Sequence, residues 1–312
     1  VHGSHARVVL GLHRTRLTPQ LLRAALTFGV TTVDTAPHYQ HGTAHQQLID
    51  AAGNLLDRFT VCTKIGYHHN TATGRNTHSL DPQRLWSSAE AAVRSLGQPP
   101  AVLWLHNPER SLAGLPVHHA AEQLAQAAVV LARAARRGWC RSWGIATWNP
   151  DQVLPAVAAI RDDWPRPGLV MTRSGLLTPS QALTAAEGLA ARCGARLWGM
   201  SPFGGDTQDP VWREVDPCQF LAPGQESTRW QAALRLARAV PDGVERVAVG
   251  ASTPAHLAEL ITAPRLSVNT RLVASYRRLL ERRSAAETST AASSAGARSG
   301  SVSGSVNSGA RL

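Results

Sequence analysis

Lysine is almost missing from this chain: of its 32 lysine and arginine residues a single one, Lys64, is lysine, and the other 31 are arginine. Cysteine is scarce too, with four widely spaced residues (Cys62, Cys140, Cys193, Cys218) and no CxxC pair. Neither a disulfide framework nor a zinc knuckle is expected from thiols so few and so far apart. No apolar run approaches the roughly 18 residues that a membrane span requires. The opening stretch VHGSHARVVLGLHRTRL carries charge and histidine where a secretion signal needs an unbroken apolar segment. The expectations are free thiols, no membrane partner and a cytoplasmic location. Acidic residues are outnumbered, leaving a formal net charge of +11. Yet the arginines are scattered instead of forming the basic stripe that neutralises phosphates. Their densest groups, ARAARRGWCR and YRRLLERR, fall on helical patterns with no groove-binding motif beside them, so no nucleic-acid partner is expected.

What the chain does have is alternation. Eight short apolar runs of strand length (RVVLGL, TTVDTA, RFTVCTKI, PAVLWLH, SWGIATW, GLVMTR, ARLWGMS and RVAVGA) are separated by Ala/Leu-rich helical patterns such as PQLLRAALTFG and AEQLAQAAVVLARAARRG. A capping residue followed by proline opens several of the helical stretches, at Thr18-Pro19, Asp81-Pro82, Asn149-Pro150, Thr178-Pro179 and Thr253-Pro254. Eight strand-helix alternations predict a closed (β/α)8 TIM barrel, for which about 250 residues in one domain are routine. A doubly wound open sheet would want a glycine-rich phosphate loop after its first strand, and GLHRTR is not one. After the eighth unit, SVNTRLVASYRRLLERR (267 to 283) reads as one more amphipathic helix on the outside. Residues 1–283 are thus expected to form a single barrel domain. From 284 to 312 the composition turns to Ser, Ala, Gly, Thr and Val without an aromatic, a disordered tail by composition.

In such a barrel the site lies where the strands end at their C-terminal side. Asp34 ends the second strand, Lys64 the third and His106 the fourth, while Tyr39 sits in the loop leaving the second. Arginine cannot give up its proton, whereas lysine can be tuned by its surroundings, so the one lysine at this place is informative. An aspartate beside it satisfies a buried ammonium, and an ammonium beside a phenol favours the phenolate, which lowers the tyrosine pKa. Tyr39 is then a candidate general acid, with His106 placed to hydrogen-bond a carbonyl oxygen.

The segments GVTTVDTAPHYQHG, TKIG, LWLHNPE, SWGIATWNPDQV, MSPFGG and VAVGASTPAHLAEL resemble, in order, the signature blocks of the aldo-keto reductases across residues about 8 to 263. The resemblance implies carbonyl reduction by NADPH, with NADH the other candidate cofactor. Tyr39 is the implied proton donor, Lys64 and Asp34 tune it, and His106 orients the oxygen. The same resemblance puts the cofactor against Thr147, Met171, Met200, Ser201, Phe203, Gly204, Gly250, Ser252 and His256. The family's Ser-Asn pair, strand-six Gln and strand-seven aromatic fall here on Ala146-Thr147, Met171 and Met200, an atypical nicotinamide side, since methionine covers a ring face but supplies no amide hydrogen bonds. His38, Tyr67, His68, Asn107 and Trp148 are the candidate substrate lining, for a small and polar carbonyl compound.

Two other readings fit part of the sequence. A relative that has lost efficient redox turnover, acting as a binding protein or a non-redox lyase or cyclase, would account for the atypical nicotinamide side. A metal-dependent barrel hydrolase would use His38, His41 and His45, with His13, His68 and His69 near the same mouth. Metallohydrolase barrels start from two histidines one residue apart on a strand, and the first strand offers one, so no metal is expected.

Overall fold

A computed structural model describes residues 7–70 and 72–283. The tail at 284–312, expected to be disordered, lies outside the described residues. Eight parallel strands close into a barrel: β1 (Val8–Gly11), β2 (Thr32–Asp34), β3 (Thr60–Ile65), β6 (Val102–His106), β7 (Ser142–Thr147), β8 (Leu169–Arg173), β9 (Arg196–Met200) and β10 (Val244–Val249), which pairs back to β1. Each coincides with one of the eight apolar runs. Between β3 and β6 the chain adds an antiparallel hairpin, β4 (Tyr67–Asn70) and β5 (Arg75–His78), that the sequence reading did not anticipate.

The helical returns form the outer layer: α1 (Pro19–Thr27), α2 (Ala44–Ala52), α3 (Pro82–Leu96), the short α4 (Glu109–Leu112), α5 (Val117–Arg136), α6 (Pro150–Ala159), α7 (Ser180–Cys193), the short α8 (Val211–Glu214), α9 (Arg229–Ala237) and α10 (Pro254–Leu260). Three of the expected capping residues do cap. Thr18, Asp81 and Thr253 accept the backbone N–H of Leu21, Arg84 and His256 at 3.2, 2.9 and 3.2 Å, each followed by proline in the first turn. Asn149 makes no cap bond, because its side-chain oxygen accepts instead from Arg173. At the fourth site the helix starts later than expected, with Pro179 in the capping position. Residues 270–283 form the outer helix, which docks through buried Val273 and through Tyr276, whose hydroxyl donates to the Leu176 carbonyl at 2.9 Å.

The barrel interior is a packed core: Val9, Cys62, Trp104, Met171 and Trp198 fill it, with the two indole rings edge to face at 5.5 Å. Gly144 makes room for this plug. A Cβ there would lie 2.6 Å from both the Trp104 ring and the Leu169 carbonyl oxygen. Because all eight strands run the same way and the core is closed beneath them, polar residues at the strand ends are presented at one mouth.

Candidate active site

The mouth's first arc is built by β2, β3 and β6, adjacent in the barrel with Asp34 beside Cys62 and Lys64 beside Trp104 in register. Lys64 is 2 % exposed. Its ammonium donates to Asp34 Oδ2 and to the Thr35 carbonyl at 3.0 Å, and lies 4.9 Å from the Tyr39 ring centroid. Burial pushes the lysine pKa down, but Asp34 and Tyr39 together outweigh it and hold the pKa above its ordinary value. Burial likewise raises the Asp34 carboxyl, against the pull of Lys64 and of the neighbouring Trp104 indole.

The expected lowering of the Tyr39 pKa does not hold. Burial of the phenol raises it, and Lys64 recovers only part of the shift because Asp34 opposes it. Proximity to an ammonium is legible in a sequence, but the desolvation that outweighs it is not. Tyr39 is accordingly a protonated phenol, with the charge that would stabilise its anion already in place.

His106 faces Tyr39 with ring centroids 6.0 Å apart, and burial followed by the charge of Lys64 holds it neutral. Its Nδ1 has no hydrogen-bond partner among the described residues. The sequence reading placed His38, Tyr67 and Asn107 around this centre, and the structure brings them together. His38 stacks on Tyr67 at 4.6 Å and lies 5.1 Å from His106, while Asn107 donates its amide to the Tyr67 hydroxyl at 3.3 Å. Burial and then Lys64 lower His38 to about 3, so it too is uncharged.

Two neighbours went unassigned as substrate lining. His13, in the loop after β1, packs on Tyr39 at 4.6 Å. His78, on the hairpin, hydrogen-bonds the His106 carbonyl at 2.7 Å and Ser111 Oγ at 2.7 Å. His68, one residue on from Tyr67 and so on the other face of β4, makes no ring contact with them among the described residues, and its pKa is lowered chiefly by burial. Among the described residues no group of three His, Cys, Asp or Glu side chains is arranged to hold a metal ion.

The second arc, β7 to β10, carries the positions assigned to a cofactor. Thr147 is buried and its hydroxyl donates to Glu109 Oε2 at 2.8 Å. Glu109, which the sequence reading did not single out, also accepts the backbone N–H groups of Trp148 (2.8 Å) and Asn149 (3.1 Å), fixing the loop after β7 from the loop after β6. Met171 is fully buried in the interior plug, so it packs instead of facing the mouth; Met200, half-buried, sits above it. Phe203 packs outward on Trp230 at 5.2 Å. Ser201 and Gly204 line a cleft of about 260 Å³ together with Arg173, Thr178 and Asp209. Trp148, 36 % exposed, stands at the rim with the Arg173 guanidinium 5.1 Å from its ring. On the β10 side, Gly250 lies close to Thr15, and Ser252 and His256 are exposed on the loop and first turn of α10. The long connection from 204 to 228 is tied across the mouth by Arg14, whose Nη1 donates to the Gly205 carbonyl at 2.9 Å.

Fold and site define a closed parallel barrel with a buried lysine-carboxylate pair, a phenol and a neutral imidazole gathered at its mouth. The aldo/keto reductase family model matches residues 16–198, more than half of the chain, and the chain belongs to that family. It is by class an NAD(P)H-dependent oxidoreductase. Solved structures agree in fold. An aldo-keto reductase from Bacillus halodurans in its holo form superposes with a TM-score of 0.67 at 15% identity, covering 88% of this chain and 91% of that one. One from Klebsiella pneumoniae, in complex with NADPH, gives 0.63 at 17% over 88% and 90%. The glycerol dehydrogenase of Gluconobacter oxydans gives 0.64 at 16% over 88% and 91%. No curated protein sequence matches the chain. Among the described residues no helix is long and apolar enough to cross a membrane.

Proposed function

We propose that this protein reduces the carbonyl group of a small polar molecule to an alcohol, with Tyr39 as the proton donor. The observation that carries the reading is the position of Lys64: one buried ammonium, anchored by Asp34 and the Thr35 carbonyl, beside a phenol that faces a neutral His106. His106 offers a hydrogen bond to the carbonyl oxygen without adding a charge. Tyr39 gives its hydroxyl proton to that oxygen as the carbon accepts hydride, and the phenolate left behind is stabilised by Lys64 until solvent restores the proton. A neutral wall of His13, His38, Tyr67 and Asn107 suits a substrate that hydrogen-bonds beyond its carbonyl.

The hydride comes, when bound, from a reduced nicotinamide dinucleotide, as the NADPH complex of the Klebsiella pneumoniae protein suggests. The second arc offers it a cleft of about 260 Å³. A Cβ at Gly205 would reach to 3.7 Å from Ser201 Oγ and 3.8 Å from the Trp148 ring, so the missing side chain leaves a cradle there. Ser201, Gly204 and Gly205 would hold the phosphates, and Met200 the face of the nicotinamide. Ser252 and His256 would border the adenosine half.

Replacing Tyr39 by Phe tests the reading. Fold and dinucleotide affinity should survive while turnover falls about 10²- to 10⁴-fold, the usual worth of a positioned acid. Full carbonyl reduction by the Phe variant would remove Tyr39 from the mechanism. A second reading has one observation in its favour: Ala146 is apolar, the Thr147 hydroxyl is committed to Glu109 and Met171 is sunk in the core, so these three positions offer nothing to a carboxamide. If the wild type binds dinucleotide yet reduces nothing across a broad carbonyl panel, a non-redox lyase or cyclase, or a binding protein, replaces the reductase.

A further inference from the structure

The cleft beside the mouth holds a cation that the acid-base centre does not use. Met171 and Arg173 are two apart on β8 and therefore on one face of the strand. The first is sunk into the core; the second emerges at the rim. Its guanidinium is already oriented, with Nε donating to the Trp148 carbonyl at 2.9 Å, Nη2 to Asn149 Oδ1 at 3.3 Å, and its central carbon 5.1 Å from the Trp148 ring centroid. Nη1 has no partner among the described residues.

No carboxylate among the described residues forms an ion pair with this guanidinium, although Asp151 and Glu109 act on it from farther off. Asp209 lines the same cleft but accepts the Val211 N–H at 3.0 Å, and Glu109 is taken up by the loop after β7. Opposite Arg173, Gly204 and Gly205 have successive positive φ angles of 71° and 98°. The Gly204 N–H closes this turn on the Ser201 carbonyl at 3.0 Å, which leaves the next N–H along the chain. The Gly205 N–H has no acceptor among the described residues, and its carbonyl is held from behind by Arg14.

We propose that Arg173 is a phosphate-binding residue, gripping the dinucleotide's diphosphate between its guanidinium, the Gly205 N–H and the hydroxyls of Ser201 and Thr178. This rests on the reductase reading above. A planar guanidinium matches two phosphate oxygens at once, which a lysine does not. The cleft, of about 260 Å³, has space for a diphosphate. It lies on the β8–β9 side, whereas Tyr39 and His106 belong to β2 and β6, so a group held here is on the cofactor's arc and not the substrate's.

The test is direct titration of NADPH, followed by tryptophan fluorescence at low and high salt, for the wild type, Arg173→Gln and Arg173→Lys. Loss of a charge-assisted bidentate contact should weaken binding about ten- to a hundredfold in the Gln variant and flatten its salt dependence. The Lys variant should keep the salt dependence while binding less tightly than wild type. Unchanged affinity in Arg173→Gln overturns the proposal, as does weakened affinity with an undiminished salt dependence, which would mark a role in holding Trp148 and Asn149. If Arg173→Gln spares NADPH affinity but raises KM for carboxylate-bearing carbonyl compounds alone, the guanidinium serves the substrate and the proposal is again overturned. Failure of the wild type to bind any dinucleotide would instead remove the reductase reading, and this proposal with it.

Discussion

Replacing Asp34 by Asn would leave the buried Lys64 ammonium with acceptors but without a countercharge. In the native protein the ammonium is 2 % exposed and its only ion pair among the described residues is with Asp34. Removing one partner of a buried pair costs about 3–5 kcal/mol, because the survivor stays desolvated. For a chain of this size that corresponds to a fall in thermal midpoint of roughly 5–9 °C. The pH dependence provides a sharper check. The native Lys64 pKa is raised, so its contribution is complete below the unfolded value of about 10.4 and is lost as pH rises through the folded value. Without the carboxylate, burial is the dominant influence and the folded pKa drops below the unfolded one. The unfolded chain then binds the extra proton, and the variant gains stability as pH rises. The deficit against wild type should therefore narrow between about pH 7 and about pH 9.5 in urea unfolding followed by tryptophan fluorescence. A deficit under about 1 kcal/mol at neutral pH, or one that stays constant across this range, would refute the reasoning.

Burial and close packing elsewhere in the barrel set two further outcomes. His45 is held neutral between Ser95 Oγ (2.6 Å) and Thr63 Oγ1 (2.8 Å), with its pKa lowered to about 4, chiefly by burial. Stability should be fully present above about pH 6.5 and fall by about 3 kcal/mol towards pH 4, and His45→Gln should flatten that slope in denaturant titrations. At Gly144 a Cβ would meet the Trp104 ring and the Leu169 carbonyl at 2.6 Å, so Gly144→Ala should cost about 1–3 kcal/mol, read as a lower thermal midpoint. No shift there would mean that the indole plug yields.

The barrel was legible because burial on both faces makes each parallel strand a continuous apolar run, and Thr18, Asp81 and Thr253 announced their helices by chemistry that acts locally. The meeting of Asp34, Tyr39, Lys64 and His106 was legible for the same reason: strand ends are sequence positions, and parallel strands bring them to one mouth. The hairpin was not, since YHHN and RNTH have no apolar face to count and are defined by pairing with each other. The Thr228-x-x-Gln231 capping box at α9 is a readable helix start that, unlike the others, carries no proline. What remained hidden depends on depth. Alternation says that Met171 points inward but not that two indoles close over it, and the commitments of Asn149 to Arg173 and of Thr147 to Glu109 join residues 24 and 38 positions apart.

The lone lysine has a consequence outside catalysis. A protease that cleaves only after lysine has one target in this sequence, and that bond lies inside β3, hydrogen-bonded between β2 and β6 with its side chain sealed in the barrel. Fraying of a surface loop does not expose it; the wall of the barrel has to open. The protein therefore carries its own single-site gauge of barrel opening, in which one cut yields two fragments and the rate of cutting follows the population of opened molecules when reclosing is faster than cleavage.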